Sequence, residues 1–275
     1  MKVENSTPKK SEINNMQSNK DIEVNARIVV NADDFGYSSS LNHAILKSFN
    51  MNLHSTTTLM CNMPGFEEAC ELAFENKITD RIGIHLNMTE GKPLTEKIKK
   101  FKKFVNDNGE LFKSFKGQYF SRDEKNLIYN ELQAQVDRFK SKHFSPTHAD
   151  THHHFHFYIG SSSIVKELAL KNNIPAVRLR FNWGGLTIQR RIYSKIVNSR
   201  LAWAGLAKTS RFCEIRLVDK ELLSLKEPVE VMVHPVFGEG NKIVNYVNGK
   251  DLEELVNMHL PKRNFITYDL LNKEN

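Results

Sequence analysis

The stretch "ARIVVNADDFGYSSSLNHAILKSFNMNLHSTTTLMC", residues 26–61, contains two apolar runs separated by a helical pattern. "ARIVVNA" (26–32) predicts a buried strand, and "STTTLMC" (55–61) predicts a second one. Between them, apolar residues recur every four positions from Leu41 to Phe49, which places them on one face of a helix. A strand, a helix and a second strand in this order form the unit from which parallel sheets are built.

The same alternation continues along the rest of the chain. Helical patterns are predicted from Pro64 to Leu72, from Ile128 to Phe139 and from Ser161 to Leu170. Strand-like runs lie between and after them: "RIGIHL" (81–86), "PTHAD" (146–150), "PAVRLR" (175–180) and "VEVMVHP" (229–235). Repeated strand-helix units predict an α/β fold with a parallel sheet, either open or closed into a barrel.

Length and composition indicate one folded domain preceded by a polar tail. The chain has 275 residues, of which 40% are hydrophobic, enough to bury a sizeable core. The first 22 residues carry lysines but no apolar run, so we expect a disordered tail over 1–22 and a single catalytic domain over 23–275. We expect neither a secretory signal in that tail nor a transmembrane segment after it.

The three cysteines, Cys61, Cys70 and Cys213, are scattered and form no close pair. This spacing argues against a disulfide framework and against a zinc site made of cysteines. Because scattered thiols suit a reducing compartment, the sequence predicts a cytoplasmic protein.

The positive charge of the chain is concentrated in one segment. The formal net charge is +7, and residues 178–211 contain eight Lys or Arg residues and no acidic residue. The same segment carries Trp183, Tyr193, Ile196 and Trp203. We favour a solvated helix with an apolar underside over a surface that contacts lipid or a polyanion.

Polar residues stand at the ends of the predicted strands. Asp33 and Asp34 follow "IVVNA", His85 follows "RIGI", Asp150 and His152 follow "PTHA", Arg178 follows "PAV", and His234 follows "VEVMV". Ligands bind at the carboxyl ends of the strands both in barrels and in doubly wound sheets. We therefore expect these side chains to converge on one mouth.

The stretch "THADTHHHFH" (147–156) holds five of the eleven histidines of the chain. In an extended chain, one face would carry His148, Asp150, His152, His154 and His156, and His153 would lie on the other. Imidazole is the commonest transition-metal ligand, so this face predicts metal binding. The groups that do not ligate are expected to orient the ligands or to contact substrate.

Two adjacent aspartates occur in "NADDFG" (31–36). The Asp-Phe-Gly triplet occurs in protein kinases. The chain has neither their Gly-rich loop nor their His-Arg-Asp loop, so the triplet does not indicate a kinase here. The two aspartates could simply cap the next helix. We favour a metal site, in which one carboxylate ligates an ion and its neighbour accepts a proton from the attacking water.

Six separated motifs then follow one another along most of the chain: "VNADDFGYSSSLNHAI", "STTTLMCNMPGFEEA", "GIHLNMTEGKPL", "PTHADTHHHFH", "IPAVRLR" and "VMVHP". Together they resemble the YdjC-type carbohydrate deacetylases, a family with chitooligosaccharide deacetylases and hopanoid-biosynthesis relatives. The resemblance implies a β/α barrel-like fold related to the TIM barrel. It also implies a metal-dependent hydrolase that removes the acetyl group from an N-acetylated sugar, which would be a chitooligosaccharide or a related glycan or glycolipid.

The resemblance also assigns roles to single residues. It places the metal ligands on Asp34, His85 and His152 and the general base on Asp33, and it makes His234 the acid or oxyanion partner. One divalent ion is implied, with Mg²⁺ as the family expectation, whereas two histidines and one aspartate would also suit Zn²⁺ or another transition metal.

The remaining polar residues of the six motifs are expected to support this chemistry. Arg178 would orient a neighbouring carboxylate and lower its pKa. Asp150, His154 and His156 would contact either the ligands or the sugar. One departure concerns Val236, which stands where the family commonly has Gly or Ala and predicts a reshaped sugar pocket.

Two other functions compete with this interpretation. A metal-dependent phosphoesterase would use a similar His/Asp set, and the basic segment 178–211 is its only extra support. A non-enzymatic binding module that faces a membrane or nucleic acid ranks third, because it leaves the convergent aspartates and histidines unexplained. We expect an acetylated sugar as partner and no nucleic acid, and a homodimer is compatible with the sequence.

Overall fold

The computed structural model describes residues 25–112 and 119–273 of the chain. The tail predicted at 1–22 lies outside these residues, as do parts of the domain predicted over 23–275. Six strands form a parallel sheet: β1 (Ile28–Phe35), β2 (Thr56–Leu59), β3 (Ile82–Leu86), β4 (Ala149–Thr151), β5 (Arg211–Glu214) and β6 (Val229–Val233). Their spatial order is β4-β3-β2-β1-β6-β5, so β4 and β5 are the two edges.

Helices alternate with these strands along the described chain: α1 (Ser39–Asn50), α2 (Phe66–Glu75), α3 (Arg122–Ser141), α4 (Ile159–Lys171), α5 (Ile188–Trp203), α6 (Lys220–Leu223), α7 (Leu252–His259) and α8 (Tyr268–Lys273). Each helix predicted from the sequence overlaps an observed one. The predicted α/β fold with a parallel sheet is therefore confirmed.

The strand β1 lies inside the sheet because its side chains are apolar on both faces. Val29, Val30 and Ala32 are fully buried, and parallel partners flank the strand on both sides. The chain then turns into α1, whose N-cap residue Ser38 accepts a hydrogen bond from the backbone N–H of Leu41 at 3.3 Å. Because Ser38 caps the helix, the two preceding aspartates are not needed for that purpose.

The parallel sheet is curled, because one segment reaches both of its edges. Beside β4, the backbone N–H of Arg178 donates to the carbonyl of Ala149 at 2.9 Å. A few residues later, the Asn182 side chain accepts from the N–H of Phe212 in β5 at 2.8 Å. The strand predicted over 175–180 is wrong, since this segment forms only an isolated bridge to β4. Its bonds to the two edges give the sheet its barrel-like curvature.

A small antiparallel sheet follows β6 and was not predicted. It consists of β7 (Pro235–Phe237), β8 (Ile243–Asn245) and β9 (Lys250–Asp251). The strand β7 packs against α1, so the small sheet lies beside the carboxyl end of β1. It thereby forms one wall of the site described below.

The histidine-rich stretch does not continue as a strand. The strand β4 ends at Thr151, and His152–Phe157 form a 3₁₀ segment in which His153 and His154 have φ values of 50° and 56°. Left-handed φ values at two successive residues reverse the direction of the side chains. The predicted single polar face from His148 to His156 is therefore wrong.

The basic segment contains the helix α5, whose buried face carries Val197 and Leu201, but two of the apolar residues singled out in the sequence lie outside that face. Ile196 is 45% exposed and Trp203 is 87% exposed. The expectation of an apolar underside made by these residues is therefore wrong. Across residues 25–112 and 119–273, none of the helices combines the length and the apolarity that a membrane span needs.

Candidate active site

A cavity of about 550 Å³ opens at the carboxyl ends of β1, β4 and β6. Its wall includes Asp33, Asp34, His152 and His234, four of the residues expected to converge there. His85 lies directly beneath this wall, where its Nε2 atom is 3.1 Å from a carboxylate oxygen of Asp34. Residues from distant parts of the sequence are thus brought together at one mouth of the sheet.

The backbone at Asp34 explains how two adjacent aspartates both serve this mouth. Asp34 has a φ of 73°, and the register of β1 against β2 shifts between Ala32 and Phe35. In a regular strand, neighbouring side chains point to opposite faces. The left-handed residue re-aims its carboxylate, so that Asp33 and Asp34 both line the cavity. Such a conformation is strained for a residue other than glycine, and Asp is among those that tolerate it best.

Asp34, His85 and His152 form a compact triangle of potential ligand atoms. The Asp34 Oδ1 atom lies 2.8 Å from His152 Nδ1 and 3.1 Å from His85 Nε2, and the two nitrogens are 3.4 Å apart. Ligand atoms at about 2.0–2.2 Å from one ion would be separated by roughly 2.8–3.6 Å, the shorter values for octahedral and the longer ones for tetrahedral coordination. The donor set and its spacing therefore fit one divalent cation with open positions toward the cavity.

Two other groups of side chains could also hold an ion. Glu90, His152 and His153 form one of them, and Asp33, His85 and Asp150 form the other. Asp33 and Asp150 already pair with a buried arginine, which competes with a cation for their oxygens. Among the described residues, no arginine pairs with Asp34, the carboxylate of the triangle that also contains His85 and His152.

A buried carboxylate orients the ring of His85. The Nδ1–H of His85 donates to Asp150 Oδ1 at 2.6 Å, which turns its Nε2 toward Asp34. Thr58, which the sequence analysis did not single out, lies between them, with its hydroxyl 3.2 Å from Asp150 Oδ2. Burial opposes the charged ring, but Asp150 and Asp34 outweigh it and raise the pKa of His85 to about 10. A carboxylate behind an imidazole is a common support for a metal-binding histidine.

His152 is held from the opposite side by Glu90, a residue that the sequence analysis also did not assign. Glu90 Oε2 lies 3.0 Å from His152 Nε2, and Tyr37 donates its hydroxyl to Glu90 Oε1 at 2.6 Å. The hydrogen bond from His152, against burial, lowers the pKa of Glu90 to about 2. Glu90 stands within the motif "GIHLNMTEGKPL", and its position after a strand end was the available signal.

Arg178 is fully buried and binds three carboxylates. It forms a two-pronged pair with Asp33 at 2.6 and 2.7 Å, and its Nη1 lies 2.6 Å from Asp150 Oδ2. Its Nε donates to Glu230 at 2.7 Å, and Tyr268 donates to the other oxygen of Glu230 at 2.7 Å. Burial opposes ionisation of Asp33, but Arg178 outweighs it and holds the pKa of that carboxyl well below its usual range.

Glu230 was missed in the sequence, although a signal was present. It is the charged residue within the apolar strand "VEVMV" and is fully buried. A buried carboxylate has to find a cation or hydrogen-bond donors, so a glutamate in such a strand indicates a partner. The expectation that Arg178 orients a carboxylate agrees with this geometry.

His234 lines the same cavity as Asp34 and His152 of the metal-ligand triangle. Its Nε2 is 3.8 Å from Asp33 Oδ2, and its backbone N–H donates to the Asn245 side chain in β8 at 2.8 Å. Its Nδ1 is buried and has no hydrogen-bond partner among the described residues. The hydrogen bond to the small sheet thus holds the backbone of His234, and one nitrogen of its imidazole faces Asp33, the expected general base.

The other histidines of the stretch do not lie on the two faces that the extended-chain prediction gave them. His153 lines the cavity, and its Nδ1 lies 3.0 Å from the Thr89 hydroxyl. His154 instead stacks on Phe157 at 4.5 Å, outside the cavity wall. His156 is buried, and its Nε2–H donates to the carbonyl of Arg178 at 2.9 Å. Burial lowers the pKa of both His154 and His156, so these rings stay neutral. His154 packs on Phe157, whereas His156 forms hydrogen bonds with Thr151 and Arg178.

Comparisons with known proteins agree with the geometry. Residues 27–261 match the family model described as YdjC-like protein. A carbohydrate deacetylase of Clostridium beijerinckii is 33% identical over 239 residues, which cover 84% of this chain and 91% of that protein. A carbohydrate deacetylase of Vibrio parahaemolyticus is 30% identical over 233 residues, which cover 82% and 86%.

A solved structure shows the same fold. It is a protein from Enterococcus faecalis whose name refers to cellobiose-phosphate cleavage, and it superposes with a TM-score of 0.69 at 22% identity. The match covers 90% of this chain and 99% of that one. At this identity, the likeness concerns the architecture alone.

Proposed function

The chain belongs to the YdjC-like family, and on that premise we propose that it is a metal-dependent deacetylase of N-acetylated sugars. One observation carries the proposal: two members of the ligand triangle, Asp34 and His152, line one cavity with Asp33 and His234, and the third, His85, lies beneath its wall. A carboxylate and an imidazole beside a cation site are the groups that hydrolysis of an amide requires.

A divalent cation bound by the triangle would lower the pKa of water and polarise the acetyl carbonyl. Asp33 accepts the proton of the attacking water, and Arg178 keeps that carboxylate ionised and fixed. His234 then donates a proton to the departing amine, since its ring lines the cavity beside Asp33. The family expectation for the ion is Mg²⁺, whereas the two imidazoles also suit Zn²⁺.

The rest of the cavity supports a sugar substrate. Tyr37 and Tyr246 offer aromatic faces, and Glu90 offers a carboxylate for hydroxyl groups. Pro235 and Val236 narrow the wall beside His234. Because Val236 adds bulk where relatives were expected to have a smaller residue, we propose that it limits how the sugar ring can lie.

We further propose that the curled sheet belongs to a barrel of the TIM-related type. The bonds from the segment around Arg178 and Asn182 to β4 and β5 support this proposal, because they join opposite edges of the sheet. A catalytic mouth at the carboxyl ends of the strands is the arrangement found in such barrels.

The direct test is release of acetate and of free amine from a panel of N-acetylated sugars. We expect turnover of at least one N-acetylglucosamine oligomer or glycolipid in the presence of a divalent cation, and none with a chelator. Phosphate release from generic phosphoesters is measured alongside. Phosphate release without acetate release under any divalent metal would instead identify a phosphoesterase.

The two histidines of the triangle are expected to be required for metal binding. His85→Ala and His152→Ala should each remove the ion, because loss of one of three protein ligands leaves too few to hold it. His153→Ala should retain it, since its ring bonds to Thr89. Metal analysis of the purified variants checks this. Loss of metal in His153→Ala and Glu90→Ala, with retention in His85→Ala, would place the ion at the group of Glu90, His152 and His153.

Metal affinity is expected to rise with pH. The carboxylates raise the pKa of His85 to about 10, so its ring carries an extra proton at neutral pH that a cation has to displace. Displacement of one proton makes the dissociation constant fall about tenfold per pH unit, or roughly 100-fold from pH 6 to pH 8. Calorimetric titration at several pH values measures it. Asp150→Asn should move this dependence to lower pH, and a flat profile would contradict the assignment of His85.

A further inference from the structure

The helix α5 exposes an apolar stripe to solvent. Ile188 is 77% exposed, Ile192 57%, Ile196 45% and Trp203 87%. At about 100° per residue, these four side chains fall within one sector of the helix. Single exposed apolar residues are common on protein surfaces, but a continuous stripe of this kind marks an interaction site.

The stripe lies opposite the face that packs on the protein. Ser194, Val197 and Leu201 are buried against the core, and the same helical geometry places them about half a turn away from the stripe. The core therefore does not need the exposed isoleucines. The helix has two apolar faces, of which one has no partner among the described residues.

Basic residues flank the stripe on both sides. Arg191 and Lys195 lie along one border, and Arg200 lies along the other. The helix contains no acidic residue, and neither does the whole segment 178–211. An apolar stripe bordered by cations, with a tryptophan at one end, has the composition of helices that lie in the plane of a membrane surface.

We propose that α5 binds an anionic lipid surface, with its isoleucines and Trp203 inserted between the headgroups and its basic residues at lipid phosphates. The charge of the helix favours this occupant over a second copy of the chain. Two α5 helices packed about a twofold axis would bring Arg191, Lys195 and Arg200 of both copies together, and the helix offers no acid to offset them. The surface lies outside the candidate active site, so the proposal does not depend on the proposed function.

The test is binding of the full chain to vesicles. We expect sedimentation with vesicles of phosphatidylglycerol and phosphatidylcholine, much weaker sedimentation with pure phosphatidylcholine, and weakening by salt. Arg191→Gln/Lys195→Gln should weaken binding by about 30-fold, because each basic residue near an anionic surface contributes about fivefold. Ile188→Ser/Ile192→Ser/Ile196→Ser should weaken it by on the order of 100-fold through lost apolar burial.

Matched controls keep the comparison specific to α5. Leu270→Ser changes an apolar residue that is 48% exposed elsewhere, and Lys97→Gln/Lys100→Gln removes two exposed cations from another segment. These variants should bind as the unaltered chain does, and thermal unfolding verifies that every variant is folded. Failure to bind anionic vesicles, or equal losses in the α5 and control variants, would overturn the proposal. So would a dimer that dissociates in the isoleucine variant, since the stripe would then be a contact between copies.

Discussion

Asparagine at position 33 is expected to leave the divalent cation bound and to lower turnover by roughly 10²- to 10⁴-fold. Asn keeps the size of Asp33 but cannot accept the proton of the attacking water. Asp33 is also one of three carboxylates that bind Arg178, so some stability will be lost as well. Turnover and metal content are therefore measured on the same preparation, well below its unfolding temperature.

Asp34→Asn is the matched control for this experiment. Asp34 belongs to the ligand triangle, so its replacement by a weaker neutral ligand should reduce both metal content and turnover. The opposite pattern, with metal lost at position 33 and kept at position 34, would exchange the two roles. Unchanged turnover in both variants would remove both residues from the mechanism.

Replacement of Arg178 by methionine is expected to lower the free energy of unfolding by about 3–5 kcal/mol. The substitution leaves Asp33, Asp150 and Glu230 buried without their shared cation. Burial of unpaired carboxylates is costly, whereas the fully paired cluster is tolerated. Urea denaturation followed by circular dichroism measures the change.

Two further variants make this measurement decisive. Arg178→Lys keeps the charge but loses the planar two-pronged contact with Asp33, so an intermediate loss is expected, and it remains measurable if the methionine variant does not fold. Arg216→Met breaks a pair with Glu214 in which the arginine is 46% exposed, and it should cost less than about 1 kcal/mol. Equal small losses at positions 178 and 216 would show that the buried cluster does not stabilise the fold.

The sequence predicts those helices and strands in which apolar residues form a continuous run or recur at a regular spacing. The apolar runs of β1 and β6 and the four-residue spacing in α1 are visible without a structure, and the two runs place the strand ends that carry Asp34 and His234. The strand β5 and the strands β7 to β9 contain only two to four residues each, so alternation does not reveal them. Tertiary pairing, not local pattern, makes these segments extended.

The histidine stretch shows a second limit. Its composition indicates a metal site, but the two left-handed residues, His153 and His154, cannot be predicted from alternation. They turn His154 toward Phe157 and bring His153 to the cavity. The position of Glu90 after a strand end was a signal, but its contact with His152, like that of Thr58 with Asp150, depends on how separate strand ends meet.

The buried cluster around Arg178 also determines when, during synthesis of the chain, the site can be completed. Its members come from β1, β4, β6 and α8, since the hydroxyl of Tyr268 holds Glu230 in place. A nascent chain that has left the ribosome only as far as β4 carries Asp33 and Asp150 without the arginine that neutralises them. The last hydrogen bond of the cluster, from the Tyr268 hydroxyl to Glu230, forms only once Tyr268 has emerged from the exit tunnel. The active mouth is therefore complete only after α8 has been synthesised, and earlier intermediates depend on water or a chaperone to shield those carboxylates.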